Sequence, residues 1–128
     1  MYDGLNIMQE VLRRGHAIHI QGFVAGPSGL EPWIRYFHRL YVGVSAMSMS
    51  VGHRQATGQA LRTVGLNKLL LESHAPYDSP SGYPEGANHP WLLGEVARAL
   101  ATVCGWDLKE VCQVTADNAR ALYQLQRQ

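Results

Sequence analysis

Cysteine is scarce in this sequence: Cys104 and Cys112 are the only two among 128 residues. They lack the spacing of a zinc or redox motif and sit in helical patterns. They read as reduced core thiols, as expected in a cytoplasmic or nuclear protein. An excess of one charge is missing too. Eleven Lys and Arg stand against ten Asp and Glu, a net charge of +1, so no strong field steers the chain toward DNA, RNA or an acidic membrane. Nucleic acid stays open as a partner, because a metal ion can hold a phosphate without a basic patch. No apolar run is long enough to span a bilayer, and no membrane partner is expected. Met1-Tyr2-Asp3-Gly4 lacks the charged and apolar regions of a signal peptide. Low-complexity tracts and domain linkers are absent. With 46% hydrophobic residues, what remains is one small globular domain over residues 1–128.

The stretch Leu69-Leu70-Leu71-Glu72-Ser73-His74-Ala75-Pro76-Tyr77 organises the rest. Three leucines bounded by a turn predict a strand buried on both faces, the kind found in parallel sheets. Polar side chains emerge at its C-terminal end, where α/β folds place their active sites.

In chain order, Leu5, Met8 and Leu12, widened by Ile7 and Val11, predict a helix near residues 3–14 with Gly15 as its C-cap. His16 to Gln21 reads as a strand and Gly22 to Gly29 as its loop. Leu30 to Phe37 is a short helix, Leu40 to Val44 a second strand, and Arg54 to Val64 a helix with Ala56, Ala60 and Leu61 inward. Leu69 to Leu71 is the third strand. A long Pro- and Gly-rich loop from Ser73 to Ala87 has the length that often carries function. Pro90 to Val103 is a helix with the stripe Leu92, Val96, Leu100 and Val103. Asp107 and Thr115 both read as N-caps. Trp33, Trp91 and Trp106 read as packing aromatics.

This alternation implies a parallel sheet with right-handed crossovers. The fold class is therefore α/β with about three parallel strands and flanking helices. A closed (β/α)8 barrel needs about 250 residues, so the chain has material for roughly half of one.

Three motifs carry a resemblance. Glu72-Ser73-His74-Ala75-Pro76-Tyr77 is similar to a strand end reading Glu-Thr-Asp-Ala-Pro-Tyr. Gln21-Gly22-Phe23-Val24-Ala25, with Gly26 one step late, is similar to His-Cys-Phe-x-Gly. Thr115-Ala116-Asp117-Asn118-Ala119-Arg120-Ala121-Leu122-Tyr123 matches a closing Thr-x-x-Asn-Ala-x-x-Leu-Phe/Tyr pattern. Together they resemble the C-terminal half of a TatD-family metal-dependent hydrolase, with the strongest likeness to the animal TatD-domain subgroup. The resemblance covers nearly every residue. It implies a TIM barrel of the metal-dependent hydrolase type, divalent Mg, Mn or Zn as cofactor, and DNA or a related phosphoester as substrate.

In that family the metal ligands are a His-x-His pair on the first strand, a mid-chain Glu, two later histidines and the Asp of the Glu-Thr-Asp pattern. Two of these positions fall within this chain, and both are changed. Gln21 stands at the histidine position, and its amide is a poor substitute for imidazole on a transition metal. His74 stands at the aspartate position, removing a negative charge and a possible general base. His74 is therefore the candidate catalytic residue and a candidate metal ligand, with degenerate substitution as the plainer reading. Gln21 and His19 are the other candidate ligands. His19 shares the strand face of Gln21, with an ordinary packed histidine as its simpler reading. Glu72 precedes the site on a buried strand and needs a partner or a water. Asn88 is read mainly as an N-cap, and Tyr77 as packing the loop within reach of substrate. His16, His38 and His53 read as surface residues, and Arg13-Arg14 as a solvated helix end.

Three expectations follow. The chain is a piece of a longer nuclease; or a short pseudoenzyme that binds without catalysis; or a half-barrel completed by a second copy or a complementary chain. In each case the chain alone is expected to be impaired as an enzyme.

Overall fold

The three apolar runs pair as a parallel sheet in the order β1-β2-β3. In the computed structural model, which describes residues 2–125, β1 is Ile18–Ile20, β2 Leu40–Val44 and β3 Leu69–Leu71. Around them run α1 (Tyr2–Val11), α2 (Pro27–Tyr36), α3 (Arg54–Val64), α4 (Leu93–Cys104) and α5 (Leu108–Tyr123). Single 3-10 turns lie at Met47–Met49, Leu66–Lys68 and Pro90–Leu92. The α/β half-barrel class expected from the alternation is the fold observed.

Register divides the sheet into two faces. Ile18 pairs with Leu40, His19 with Tyr41 and Ile20 with Val42; Val42 pairs with Leu69, Gly43 with Leu70 and Val44 with Leu71. Side chains alternate along a strand. One face therefore carries Ile18, Ile20, Leu40, Val42, Val44, Leu69 and Leu71, and these pack with the helices into the main core. The other carries His19, Tyr41, Gly43 and Leu70, and Glu72 continues it. The apolar face is buried by Leu30 and Trp33 from α2 and Phe37 that caps it, Ala60 and Leu61 from α3, and Val96, Leu100 and Val111 from α4 and α5.

Several local expectations are corrected. Thr115 does not cap a last helix. It lies inside a continuous α5, where its hydroxyl bonds back to the Val111 carbonyl at 2.7 Å. Asp107 is the true N-cap, its carboxylate accepting from the Glu110 N–H at 3.0 Å. One cap suffices because Val111, Thr115 and Asn118 form a buried stripe that runs unbroken. Helix α1 stops at Val11, short of Gly15, and its Ile7 and Val11 are exposed while Leu5 is buried. Helix α2 begins at Pro27, whose fixed φ suits a first helical turn. Ala56 is exposed rather than inward. Cys104 is buried as expected, but Cys112 is exposed, so only one of the two thiols belongs to the core. Trp33 packs in the core and Trp106 against it, whereas Trp91 stands in solvent.

The closing motif has a structural use. Asn118 is buried and its amide donates to the carbonyls of Leu66 and Leu69, at 2.9 and 2.8 Å. It ties α5 to the start of β3 and to the 3-10 turn that precedes it.

Candidate functional site at the strand ends

Glu72 is the hub of the polar face. It follows β3 directly, and its N–H continues the ladder to the Val44 carbonyl at 2.8 Å. Its carboxylate is 9% exposed, so it needs partners. Three converge on it. His19 Nε2 lies 2.8 Å from Oε2. His74 Nε2 lies 2.5 Å from Oε1, and the Gly22 N–H donates to the same oxygen at 2.9 Å. Burial pushes the Glu72 carboxyl up. The bonds from His19, His74 and Gly22, with the charge of His19, outweigh that and hold it below its ordinary range.

His19 lies on β1 and Glu72 just after β3, the two strands that flank β2, and neighbouring strands stand about 4.8 Å apart. They meet because the strand between them offers no side chain. A Cβ on Gly43 would stand 1.3 Å from Glu72 Oε2 and 2.8 Å from His19 Nε2. A glycine inside a strand otherwise built of Leu, Tyr and Val marks such a close approach.

The array extends at both ends. The Tyr123 hydroxyl, from the end of α5, lies 2.6 Å from His19 Nδ1. His74 Nδ1 lies 3.5 Å from Asp78 Oδ2, within ion-pair range but without hydrogen-bond geometry. His74 reaches back over Glu72 because its backbone is left-handed, with φ 56°. That conformation costs an L-residue about 1–2 kcal/mol, offset here by the two carboxylates its ring faces. Gly22 also has φ 55°, and its missing Cβ leaves room for the His74 ring.

Asn88 is not the N-cap it was expected to be; His89 holds that position before the 3-10 turn. Asn88 is buried, and its amide donates to the carbonyls of Ser73, Tyr77 and Asp78 at 2.6, 2.8 and 3.3 Å. It stitches the base of the long loop, and Glu85 adds a bond to the Asp78 N–H at 3.1 Å. Tyr77 does not pack the loop: its ring is 72% exposed. His16, His38 and His53 are exposed, as read from sequence.

The structure thus brings His19, Glu72 and His74 together and leaves Gln21 exposed beside them. The donor set does not fit a catalytic metal centre. Both Nε2 atoms are turned onto the Glu72 carboxylate and His19 Nδ1 onto the Tyr123 hydroxyl, so of these four ring nitrogens only His74 Nδ1 is left without a hydrogen bond, one donor where a metal centre uses three or more. Among the described residues, no group of three or more His, Cys, Asp or Glu side chains could hold a metal ion. Gly43, Asp78 and Tyr123 were not foreseen as members of the array. The lone glycine in a branched strand was a readable signal for the first. Nothing local could signal Tyr123, which is 104 residues from His19.

These features are those of a strand-end site on a partial barrel of the hydrolase type. The family model described as "TatD related DNase" matches residues 2–124, and the chain belongs to that family. It is 28% identical over 126 residues to the human 3'-5' RNA nuclease TATDN2, a match covering 96% of this chain and 16% of that protein. It is 35% identical over 66 residues to the uncharacterized metal-dependent hydrolase YcfH of Escherichia coli K12, covering 52% of this chain and 25% of that one. Among solved structures, an uncharacterized amidohydrolase from Saccharomyces cerevisiae superposes with a TM-score of 0.73 at 15% identity. That match covers 85% of this chain and 40% of that one. The chain therefore spans a minor part of the length of these relatives. No described helix is long and apolar enough to cross a membrane.

Proposed function

We propose that residues 1–128 form a single partial TatD-like domain that binds nucleic acid and, as this chain, does not cleave it. The observation that carries the reading is the engagement of Glu72 by His19, His74 and the Gly22 N–H. The two positions where this chain would supply family ligands hold Gln21 and His74, and His74 is committed to carboxylates. Divalent Mg, Mn or Zn then lacks the three-donor frame that activates a water for phosphodiester hydrolysis. The substrate class rests on the names of relatives: DNA by the family description, RNA by the human nuclease. Cytoplasm or nucleus is the compartment this reading assigns, supported by two free thiols.

Calorimetric titration of the chain with Zn²⁺ and Mn²⁺ tests the site itself. No stoichiometric binding is expected. A stoichiometric site that His74→Ala abolishes would overturn the reading. His74→Asp is expected to restore no cleavage, because one carboxylate does not replace the missing donors.

A second reading is completion of the barrel by another copy or by a complementary half-barrel chain. It is favoured by the sheet, in which β1 and β3 each keep one edge without a strand partner among the described residues. Light scattering separates the cases. A mass of two chains supports self-completion, and a monomer at all concentrations removes it.

A further inference from the structure

We infer that Tyr123, His19 and Glu72 form a triad of phenol, imidazole and carboxylate in which Tyr123 is a nucleophile toward activated acyl donors such as aryl esters. The inference goes beyond the nucleic-acid reading above and does not depend on it.

The three side chains come from the end of α5, from β1 and from just after β3. The Tyr123 hydroxyl lies 2.6 Å from His19 Nδ1, and His19 Nε2 lies 2.8 Å from Glu72 Oε2. The Tyr123 and His19 rings meet edge-on, with centroids 6.0 Å apart. Each imidazole nitrogen thus has one partner, in the order of a nucleophile, its base and the group that orients the base.

The carboxylate decides where the protons sit. Glu72 is held below its ordinary range, so at neutral pH it is ionised and only accepts. Nε2 of His19 must then carry the hydrogen. In the neutral ring this leaves the Nδ1 lone pair to accept from the Tyr123 hydroxyl. The base is held in place, its side chain 16% exposed and that of Glu72 9%. The nucleophile is within reach of solvent, with Tyr123 54% exposed. His74 takes the other Glu72 oxygen, so the two histidines do not compete for one atom.

Charge selects the kind of substrate. Among the described residues only histidines pair with Glu72. Arg120, on the turn before Tyr123, is tied to Asp117 at 2.9 Å. A phosphoryl donor would bring negative charge toward a carboxylate with no free cation to receive it, a cost that a neutral ester carbonyl does not meet. In the step, Tyr123 Oη bonds to the acyl carbon and its proton passes to His19 Nδ1. Glu72 stabilises the imidazolium that forms. The ester C–O bond breaks, and the departing phenolate takes the proton from Nδ1. The products are O-acylated Tyr123 and the free phenol.

The test is incubation of the full 128-residue chain, carrying Cys112→Ala, with para-nitrophenyl acetate at neutral pH. Peptide mass spectrometry follows acetylation at each tyrosine. Cys112 is replaced because its exposed thiol would consume the reagent. Tyr77 is the control within the same molecule: it is more exposed, at 72%, and has no imidazole on its hydroxyl. Tyr123 is expected to be acetylated about a hundredfold faster than Tyr77, the usual contribution of a positioned base. His19→Gln is expected to bring Tyr123 down to the rate of Tyr77. Glu72→Gln, which changes the positioning residue, should slow Tyr123 and leave Tyr77 unchanged. Circular dichroism establishes that the variants fold. Equal rates at Tyr123 and Tyr77 in the Cys112→Ala chain would overturn the triad, whether or not the other variants fold. An undiminished Tyr123 rate in folded His19→Gln would overturn it too.

Discussion

Glu72 lies directly over the backbone of Gly43, in space that any other residue would fill. The carboxylate oxygen sits 1.3 Å from where a Cβ at position 43 would stand. Gly43→Ala is therefore expected to destabilise the fold by about 1–3 kcal/mol, the usual cost of overpacking a fitted site. The cost should shrink in a Glu72→Ala background, where nothing occupies the space. Urea unfolding of the two single variants and the double variant measures the coupling. Additive costs would mean that the carboxylate does not occupy that gap.

Protonation of the same carboxylate should loosen the array. Its folded-state pKa is held below the ordinary value of 4.5. The stability it contributes is then present above that value and lost as the pH falls through the lower folded-state pKa. Wild type is expected to lose stability more steeply than Glu72→Gln as the pH falls below 4.5. Parallel curves for the two proteins would contradict the depressed pKa.

Asn88 holds the loop by three carbonyls. Asn88→Ala leaves them without their donor and should cost about 1–3 kcal/mol. The loss should fall on the loop first. Limited proteolysis is expected to cut the variant between Tyr77 and Ala87 faster than wild type, with the sheet protected in both. Equal cutting rates would show that the stitch does not order the loop.

The two thiols should differ. Burial pushes the Cys104 thiol up, with the Arg62 charge opposing, whereas Cys112 is exposed. Thiolate is the reactive form. Native protein is expected to react at Cys112 promptly and at Cys104 only on unfolding. Intact-mass analysis after alkylation would show a single adduct, and two rapid adducts would contradict the burial.

Much of the fold was legible because it rests on local signals. Leu40 to Val44 and Leu69 to Leu71 are short apolar runs, and both are strands at the expected residues. Helix α3 begins and ends where its pattern does. Misreadings came where two signals competed. Thr115 has an N-cap residue type, but the buried stripe from Val111 to Asn118 carries the helix through it. Asn88 precedes a helical turn, but three unpaired carbonyls nearby offered its amide a better use. The need of Glu72 for a partner was legible from its place after a buried strand. The identity of those partners was not, because the meeting of His19 and Glu72 depends on strand register and on the gap at Gly43.

On the function proposed here, His74 and Glu72 satisfy one another rather than a catalytic metal. The most direct test is incubation of the purified chain with end-labelled single-stranded DNA and RNA in Mg²⁺, Mn²⁺ or Zn²⁺, each with and without chelator. The expected result is intact substrate in every lane. Cleavage that chelator abolishes, and that His74→Ala also removes, would contradict the claim and place a working metal at the strand ends.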